Sequence, residues 1–107
     1  MRLEYYSIEN LKKEIKEIVG KYLDFHSYRL FFFGSRAEGK GDERSDIDVG
    51  IEGTKEVPYE IMSYIKEKIE DLPILYKIDI VDFKKLSDDF RQVALQYIEP
   101  ITDYDKV

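Results

Sequence analysis

Residues 46–52 alternate polar and apolar side chains without a break. This period of two predicts a half-buried strand. Its buried face carries the branched residues Ile47, Val49 and Ile51. Its other face presents Asp46, Asp48, Gly50 and Glu52. Two more apolar segments, 28–33 and 76–82, have the length and composition of strands, and the first ends at Gly34.

Three other segments repeat their apolar residues at helical spacing, which predicts helices at 7–23, 58–72 and 87–98. Ser7 and Ser87 are suitable N-caps for the first and the last of them. Pro73 and Pro100 end the second and the third, since proline cannot continue a helix. The tail 101–107 is a candidate for a short edge strand.

The predicted order is helix, strand, short helix or loop, strand, helix, strand, helix. We expect an α/β (α+β) fold, with a small mixed sheet of three to four strands and helices packed mainly on one face. The 107 residues contain no Pro/Gly-rich linker or repeat, so we expect a single domain, 1–107.

Charge and composition narrow the function classes. The formal net charge is -6, which disfavours direct binding of a long nucleic acid, because such proteins are usually basic. The chain has no cysteine, which excludes disulfides and thiolate metal sites. No apolar run reaches the roughly 18 residues of a membrane span. We therefore expect a soluble, cytoplasmic protein.

Candidate phosphate and metal chemistry is concentrated between residues 34 and 48. Gly34 and Ser35 form a small-residue turn directly after a strand, where backbone amides and a hydroxyl can approach phosphate oxygens. Asp46 and Asp48 share one face of the next strand, and the strand rise places their Cα atoms about 6–7 Å apart. Such carboxylates repel each other unless a cation lies between them, and oxygen ligands favour Mg²⁺ or Mn²⁺. For an isolated Asp-x-Asp pair, a solvated strand face is the alternative interpretation.

Asp79 is the candidate third carboxylate, because it lies on a separate strand between apolar residues. Asp82 competes with it, but three residues along a strand place Asp82 on the opposite face. Only one of the two can join Asp46 and Asp48, and we favour Asp79.

Specific residues exclude an EF-hand loop, a P-loop and a multi-histidine metal site. Gly50 stands where an EF-hand loop needs an oxygen ligand. Gly39-Lys40 is followed by Gly41 and not by the Ser or Thr of a P-loop. His26 is the only histidine, which excludes a multi-histidine metal site and makes a surface or cap role its expected one.

The combination of these motifs is selective. Gly34-Ser35, ten intervening residues, Asp46-x-Asp48 and then Asp79 between apolar residues resemble the nucleotidyltransferase fold of the polymerase-beta superfamily. The strings GSRAEGKGDERSDIDVGIEG and KIDIVDF look like those of the minimal nucleotidyltransferase (MNT) group, known chiefly as antitoxins of HEPN/MNT toxin–antitoxin pairs.

The resemblance implies a site and a reaction. Asp46 and Asp48 would bind two Mg²⁺ ions (Mn²⁺ is possible) with ATP, Asp79 would bind the second ion, and Gly34 and Ser35 would hold the triphosphate. AMP would pass to a hydroxyl, expected to be a Tyr, of a HEPN-type toxin partner. The alternatives are a non-catalytic antitoxin that neutralises the toxin by binding it, and nucleotide transfer to a small molecule or RNA.

One position departs from this pattern. Glu38 stands where such proteins often carry a basic residue. Arg36, which we assign to nucleotide binding, could supply the positive charge together with Lys40 and Arg44. The alternative is that these three are solvated loop residues.

Overall fold

The computed structural model describes residues 1, 3–41 and 45–102 of the chain. Strands lie at Tyr28–Phe33 (β1), Ile47–Gly53 (β2), Ile78–Asp82 (β3) and Glu99–Pro100 (β4). Helices lie at Ile8–Gly20 (α1), Gly34–Ala37 (α2), Tyr59–Glu70 (α3) and Asp88–Ala94 (α4), and a 3₁₀ turn lies at Phe83–Lys85. In this described part, no helix is long and apolar enough to cross a membrane.

The four strands form one mixed sheet in the order β3-β2-β1-β4. β1 is antiparallel to both β2 and β4, and β2 is parallel to β3. The parallel pair is possible because α3 carries the chain back across the sheet between β2 and β3. This arrangement confirms the predicted fold class.

The main core lies between the sheet and the helices α1 and α3. The alternation of β2 is visible in it, since Ile47, Val49 and Ile51 are all fully buried. The helical stripes complete this core with Leu11, Ile15, Val19, Ile65 and Ile69. Burial of these side chains, each worth about 1.5–3 kcal/mol, fixes which face of each strand points away from the helices.

The opposite face of the sheet is also partly covered, by an aromatic cluster of Phe31, Phe33 and Phe83. The Phe83 ring packs edge-on against Phe31 and Phe33, with centroids 4.8 and 4.9 Å apart. Gly50, predicted on this face, is buried beneath the cluster. A Cβ at position 50 would overlap the Phe31 ring and lie 2.8 Å from Cε1 of Phe83, so only glycine fits there.

The observed boundaries differ most from the predicted ones near the C-terminal end. The last helix ends at Ala94 and not at residue 98. The edge strand is Glu99–Pro100, just before the predicted tail segment, and it pairs with Phe31 and Phe32. Proline is tolerated there because an edge strand does not need every N–H. Residues 103–107 of that predicted segment lie outside the described residues.

Candidate active site

Three carboxylates come together at one side of the β2–β3 pair. Asp48 and Asp79 are register partners on these neighbouring parallel strands, so their side chains emerge side by side from the same face. Asp46 lies two residues before Asp48, directly before the first residue of β2. Nζ of Lys77 lies 3.9 Å from Oδ2 of Asp46 and 3.9 Å from Oδ1 of Asp79. The structure therefore places the three predicted acidic residues in one cluster.

The cluster is electrostatically unfavourable without a cation. Partial burial raises the pKa of Asp48, and the negative charges of Asp79 and then Asp46 raise it further. The ammonium of Lys77 offers little compensation, because its side chain is 72% exposed and both contacts are long. A divalent cation would stabilise the charged form of Asp48 against both its burial and the repulsion from Asp79 and Asp46.

The donor set suits a metal that keeps some of its ligands from outside the protein. Within the described ranges, no group of three or more His, Cys, Asp or Glu side chains is arranged so that it could hold a metal ion. Asp46 and Asp79 are 43% and 44% exposed, which leaves room for water and phosphate oxygens. Mg²⁺ typically binds in this way, through one or two carboxylates together with substrate phosphates. The residues present fit such an ion.

Gly34 lies against the carboxylate of Asp48. Its φ is +81°, a left-handed conformation that favours glycine. A Cβ at this position would overlap Oδ2 of Asp48. The exposed Ser35 follows it in α2. The predicted phosphate turn thus lies directly against Asp48, one of the predicted metal ligands, where β1 ends beside β2.

Arg36, predicted to bind the nucleotide, is held inside the fold. Its side chain is only 7% exposed, its Nε donates a hydrogen bond to the carbonyl oxygen of Ser45 at 2.7 Å, and its guanidinium lies 4.9 Å from the centre of the Tyr76 ring. Among the described residues, none accepts a hydrogen bond from its Nη2. Arg36 therefore holds the residue that precedes Asp46, and its contact with nucleotide stays a prediction.

The loop after α2 carries opposite charges. Nζ of Lys40 lies 4.0 Å from Oε1 of Glu38, and Lys40 is 77% exposed. Glu38 also lines a cavity together with Asp48, so a negative charge faces the predicted phosphate side. Arg44 lies outside the described residues.

Of the two other residues considered in the sequence, Asp82 has a structural role and His26 lies at the surface. Asp82 is buried on the opposite face of β3. Its Oδ2 accepts a hydrogen bond from the backbone N–H of Val57 at 2.8 Å, and its Oδ1 accepts one from Lys84 at 3.0 Å. It is a structural cap, which agrees with the choice of Asp79. His26 is exposed and lies in the turn before β1.

Two features of the site were missed by sequence reasoning. Lys77 lies two residues before Asp79, and that spacing on a strand was the available signal. The other feature is a cavity of about 250 Å³ between Asp48 and the α4 region. In this α4 region, residues 88–98, the apolar side chains of Phe90, Val93 and Tyr97 line the cavity.

Known proteins resemble this chain in sequence and in fold. The probable protein adenylyltransferase MntA of Haemophilus influenzae is 27% identical over 79 residues, which cover 74% of this chain and 69% of that protein. A toxin–antitoxin complex with AMP-PNP matches with a TM-score of 0.68 at 18% identity, over 89% of this chain and 77% of that one. A minimal nucleotidyltransferase matches with a TM-score of 0.66 at 22% identity, over 91% and 98%.

An MNT antitoxin in complex with a tri-AMPylated HEPN toxin of Shewanella oneidensis has a similar fold, with a TM-score of 0.66 at 14% identity over 92% of this chain and 76% of that one. The family model described as "Polymerase beta, Nucleotidyltransferase" matches residues 13–106, which include the glycine turn and all three carboxylates. Enzymes of this family generally use divalent metals. The sequence, the fold and the placement of the motif agree: this chain belongs to the polymerase-beta nucleotidyltransferase family.

Proposed function

We propose that this chain is an Mg²⁺-dependent nucleotidyltransferase that moves AMP from ATP to a tyrosine hydroxyl of a HEPN-type toxin, and that it acts as the antitoxin of that partner. The observation that carries the proposal is the contact between the Gly34 turn and a cluster of three carboxylates on β2 and β3. The named relatives, an adenylyltransferase MntA and MNT antitoxins of HEPN toxins, support the same acceptor class. We take residues 1–107 as one minimal nucleotidyltransferase domain.

The residues of the glycine turn and those of the carboxylate cluster have different roles in this proposal. Gly34 and Ser35 bind the triphosphate through the backbone and a hydroxyl, and Asp46 and Asp48 orient it beside them. Asp46, Asp48 and Asp79 would hold two divalent cations, which neutralise phosphate charge and stabilise the attacking and leaving oxygens. Positioning and charge neutralisation are what such a transfer needs.

The chemical step balances without a further reactant. The acceptor hydroxyl oxygen forms a bond to the α-phosphorus of ATP, and the bond from that phosphorus to the bridging oxygen breaks, which releases pyrophosphate. The hydroxyl proton passes to the carboxylate of Asp79 and then to solvent. Asp79 is suited to this role because it is 44% exposed and lies on β3, at the edge of the sheet.

The open side of the cluster favours an acceptor on another molecule. Asp46 and Asp79 face solvent on the β3 side, while Gly34 and the α4 cavity lie on the β1 side of Asp48. A tyrosine displayed by a folded partner could therefore reach Asp79 while the nucleotide occupies the other side.

The test is to incubate the protein with a purified HEPN-type toxin, labelled ATP and Mg²⁺, and to follow label on the toxin. Asp46→Asn and Asp48→Asn should each lower labelling by at least about 100-fold, the order of effect expected when a charge-stabilising group is removed. Asp24→Asn is the matched control, since Asp24 lies in the turn before β1 and accepts a hydrogen bond from the N–H of His26. Full activity of either cluster variant would refute the metal assignment.

A non-catalytic antitoxin is the second candidate, and Glu38 is the observation that favours it. This carboxylate adds negative charge to the side where the triphosphate must bind, and the net charge of -6 suits a basic ribonuclease partner. Tight toxin binding and neutralisation that neither ATP nor the Asp46→Asn and Asp48→Asn changes affect would support this candidate over transfer.

A further inference from the structure

The α4 region exposes three large apolar side chains beside the carboxylate cluster. Phe90, Val93 and Tyr97 are 53%, 66% and 56% exposed. They line the same cavity of about 250 Å³ as Gly34 and Asp48. Since burial of such side chains is strongly favourable, their exposure at this place calls for a ligand.

The core does not need these three side chains. The α4 region is anchored by other residues, Ala94, Leu95 and Ile98, which pack against the Phe31–Phe33–Phe83 cluster. No residue of α4 itself is fully buried. Phe90 and Val93 lie three residues apart on one face of α4, Tyr97 follows in the segment after the helix, and all three line the cavity that Asp48 also lines.

We infer that Phe90, Val93 and Tyr97 form the surface that binds the nucleoside part of the donor nucleotide, with the base stacked on the two aromatic rings. This inference rests on the proposed function, because it requires a nucleoside triphosphate at Gly34 and Asp48. A nucleoside triphosphate has a charged end that suits the glycine turn and a flat aromatic end that suits this wall. The continuity of one cavity between the two surfaces is the argument for a single ligand.

The chemistry of the wall agrees with a base. Aromatic side chains bind nucleobases by stacking with little dependence on sequence. Gln96 is the uncharged polar side chain of this wall, and its amide can both donate and accept hydrogen bonds at a base edge. Asp48 and Glu38 are the charged residues that line the cavity, and neither belongs to the α4 region.

The experiment compares a ligand that has a base with one that does not. Binding of ATP (as a non-hydrolysable analogue) and of inorganic tripolyphosphate is measured by calorimetry with Mg²⁺, for the wild type, Phe90→Ala and Tyr97→Leu. We expect about 10-fold weaker ATP binding in both variants and no change for tripolyphosphate. Tyr97→Phe keeps the ring and should bind ATP like the wild type.

Tyr59→Ala is the matched control, since Tyr59 is also exposed (77%) but lies on α3. Tyr59→Ala should change neither the affinity for ATP nor the affinity for tripolyphosphate. Thermal melts of all variants verify that the fold is intact, which is expected because the substituted side chains are exposed.

Each outcome decides between the proposals. Unchanged ATP affinity in Phe90→Ala and Tyr97→Leu overturns this inference but leaves the proposed function standing. If those variants instead lose toxin binding, the surface belongs to the protein partner, and the inference is again overturned. An equal loss of both ligands also overturns it, because the base then makes no separate contribution. A wild type that binds neither ligand removes the proposed function and this inference together.

Discussion

At the scale of single residues, two glycines with the same backbone strain differ in what surrounds them. Gly34 and Gly39 have φ values of +81° and +79°. A Cβ at position 34 would overlap the carboxylate of Asp48, whereas one at position 39 has nothing within 4 Å. This contrast separates the cost of the backbone conformation from the cost of disturbing the site.

We predict that Gly34→Ala abolishes nucleotidyl transfer, whereas Gly39→Ala leaves it nearly unchanged. Both variants should lose about 1–2 kcal/mol of stability from the left-handed conformation, but only Gly34→Ala must also displace Asp48. Urea denaturation and the labelling assay measure the two effects. Equal activity of the two variants would show that the contact between Gly34 and Asp48 does not matter for the reaction.

Arg36 shows where reasoning from single residues stops. A basic residue next to a phosphate-binding turn is a reasonable candidate for phosphate contact. Its burial depends on Ser45 and Tyr76, which are distant in sequence and lie against it only in the folded chain. No local pattern reports such a contact.

At the scale of elements, the sequence pattern predicted which residues form strands, but it predicted less well which strands lie side by side in the sheet. The period of two in β2 fixes which carboxylates share a face, because alternation is a local property of a strand. The partnership of Asp48 with Asp79 needs in addition the parallel register of β2 and β3, which depends on how α3 crosses the sheet. The structure places Asp79, and not Asp82, beside Asp48, as the side-chain period of a strand predicts.

The helical pattern of the α4 region predicted the helix but not the exposure of its side chains. Its apolar residues follow a helical period, and such a stripe usually marks a core-facing surface. The aromatic cluster on this face of the sheet is small, however, and Ala94, Leu95 and Ile98 already cover it. The rest of the stripe is left facing the cavity, so a periodic pattern predicted an element but not which of its faces is buried.

We predict opposite effects for the two acidic residues of β3. Asp82→Asn should destabilise the fold by about 1–3 kcal/mol, because a buried carboxylate that accepts two backbone hydrogen bonds is lost. Asp79→Asn should leave stability nearly unchanged but abolish labelling of the toxin. Denaturation curves and the labelling assay measure both. Strong destabilisation by Asp79→Asn with normal activity of the remaining folded protein would reverse the two roles.

At the scale of the whole molecule, the carboxylate cluster that carries the proposed function also opposes the stability of the fold. A net charge of -6 already opposes the compact state, because like charges repel, and Asp46, Asp48 and Asp79 concentrate part of that charge in one place. The composition predicts an acidic protein and disfavours direct binding of a long nucleic acid. The local concentration became visible only when the sheet brought β2 and β3 together.

We predict that Asp48→Asn makes the metal-free protein more stable at pH 7, by roughly 0.5–2 kcal/mol, the usual gain when an unfavourable functional residue is replaced. The native pKa of Asp48 is raised, first by burial and then by Asp79 and Asp46, so the folded state binds its proton more tightly than the unfolded chain does. Wild-type stability must therefore fall, relative to the variant, as pH rises from the ordinary carboxyl pKa of about 4 through the raised native value.

The measurement is urea denaturation in EDTA from pH 3.5 to pH 8 for the wild type, Asp48→Asn and the control Asp24→Asn. The advantage of Asp48→Asn should be nearly absent at the acid end, where the carboxyl is protonated in both states, and should reach a plateau at neutral pH. Asp24→Asn should show no such trend. Lys77→Met should change this advantage little, because the exposed ammonium makes only long contacts with Asp46 and Asp79. A variant less stable than the wild type at pH 7 would show that the cluster is not under electrostatic strain without metal.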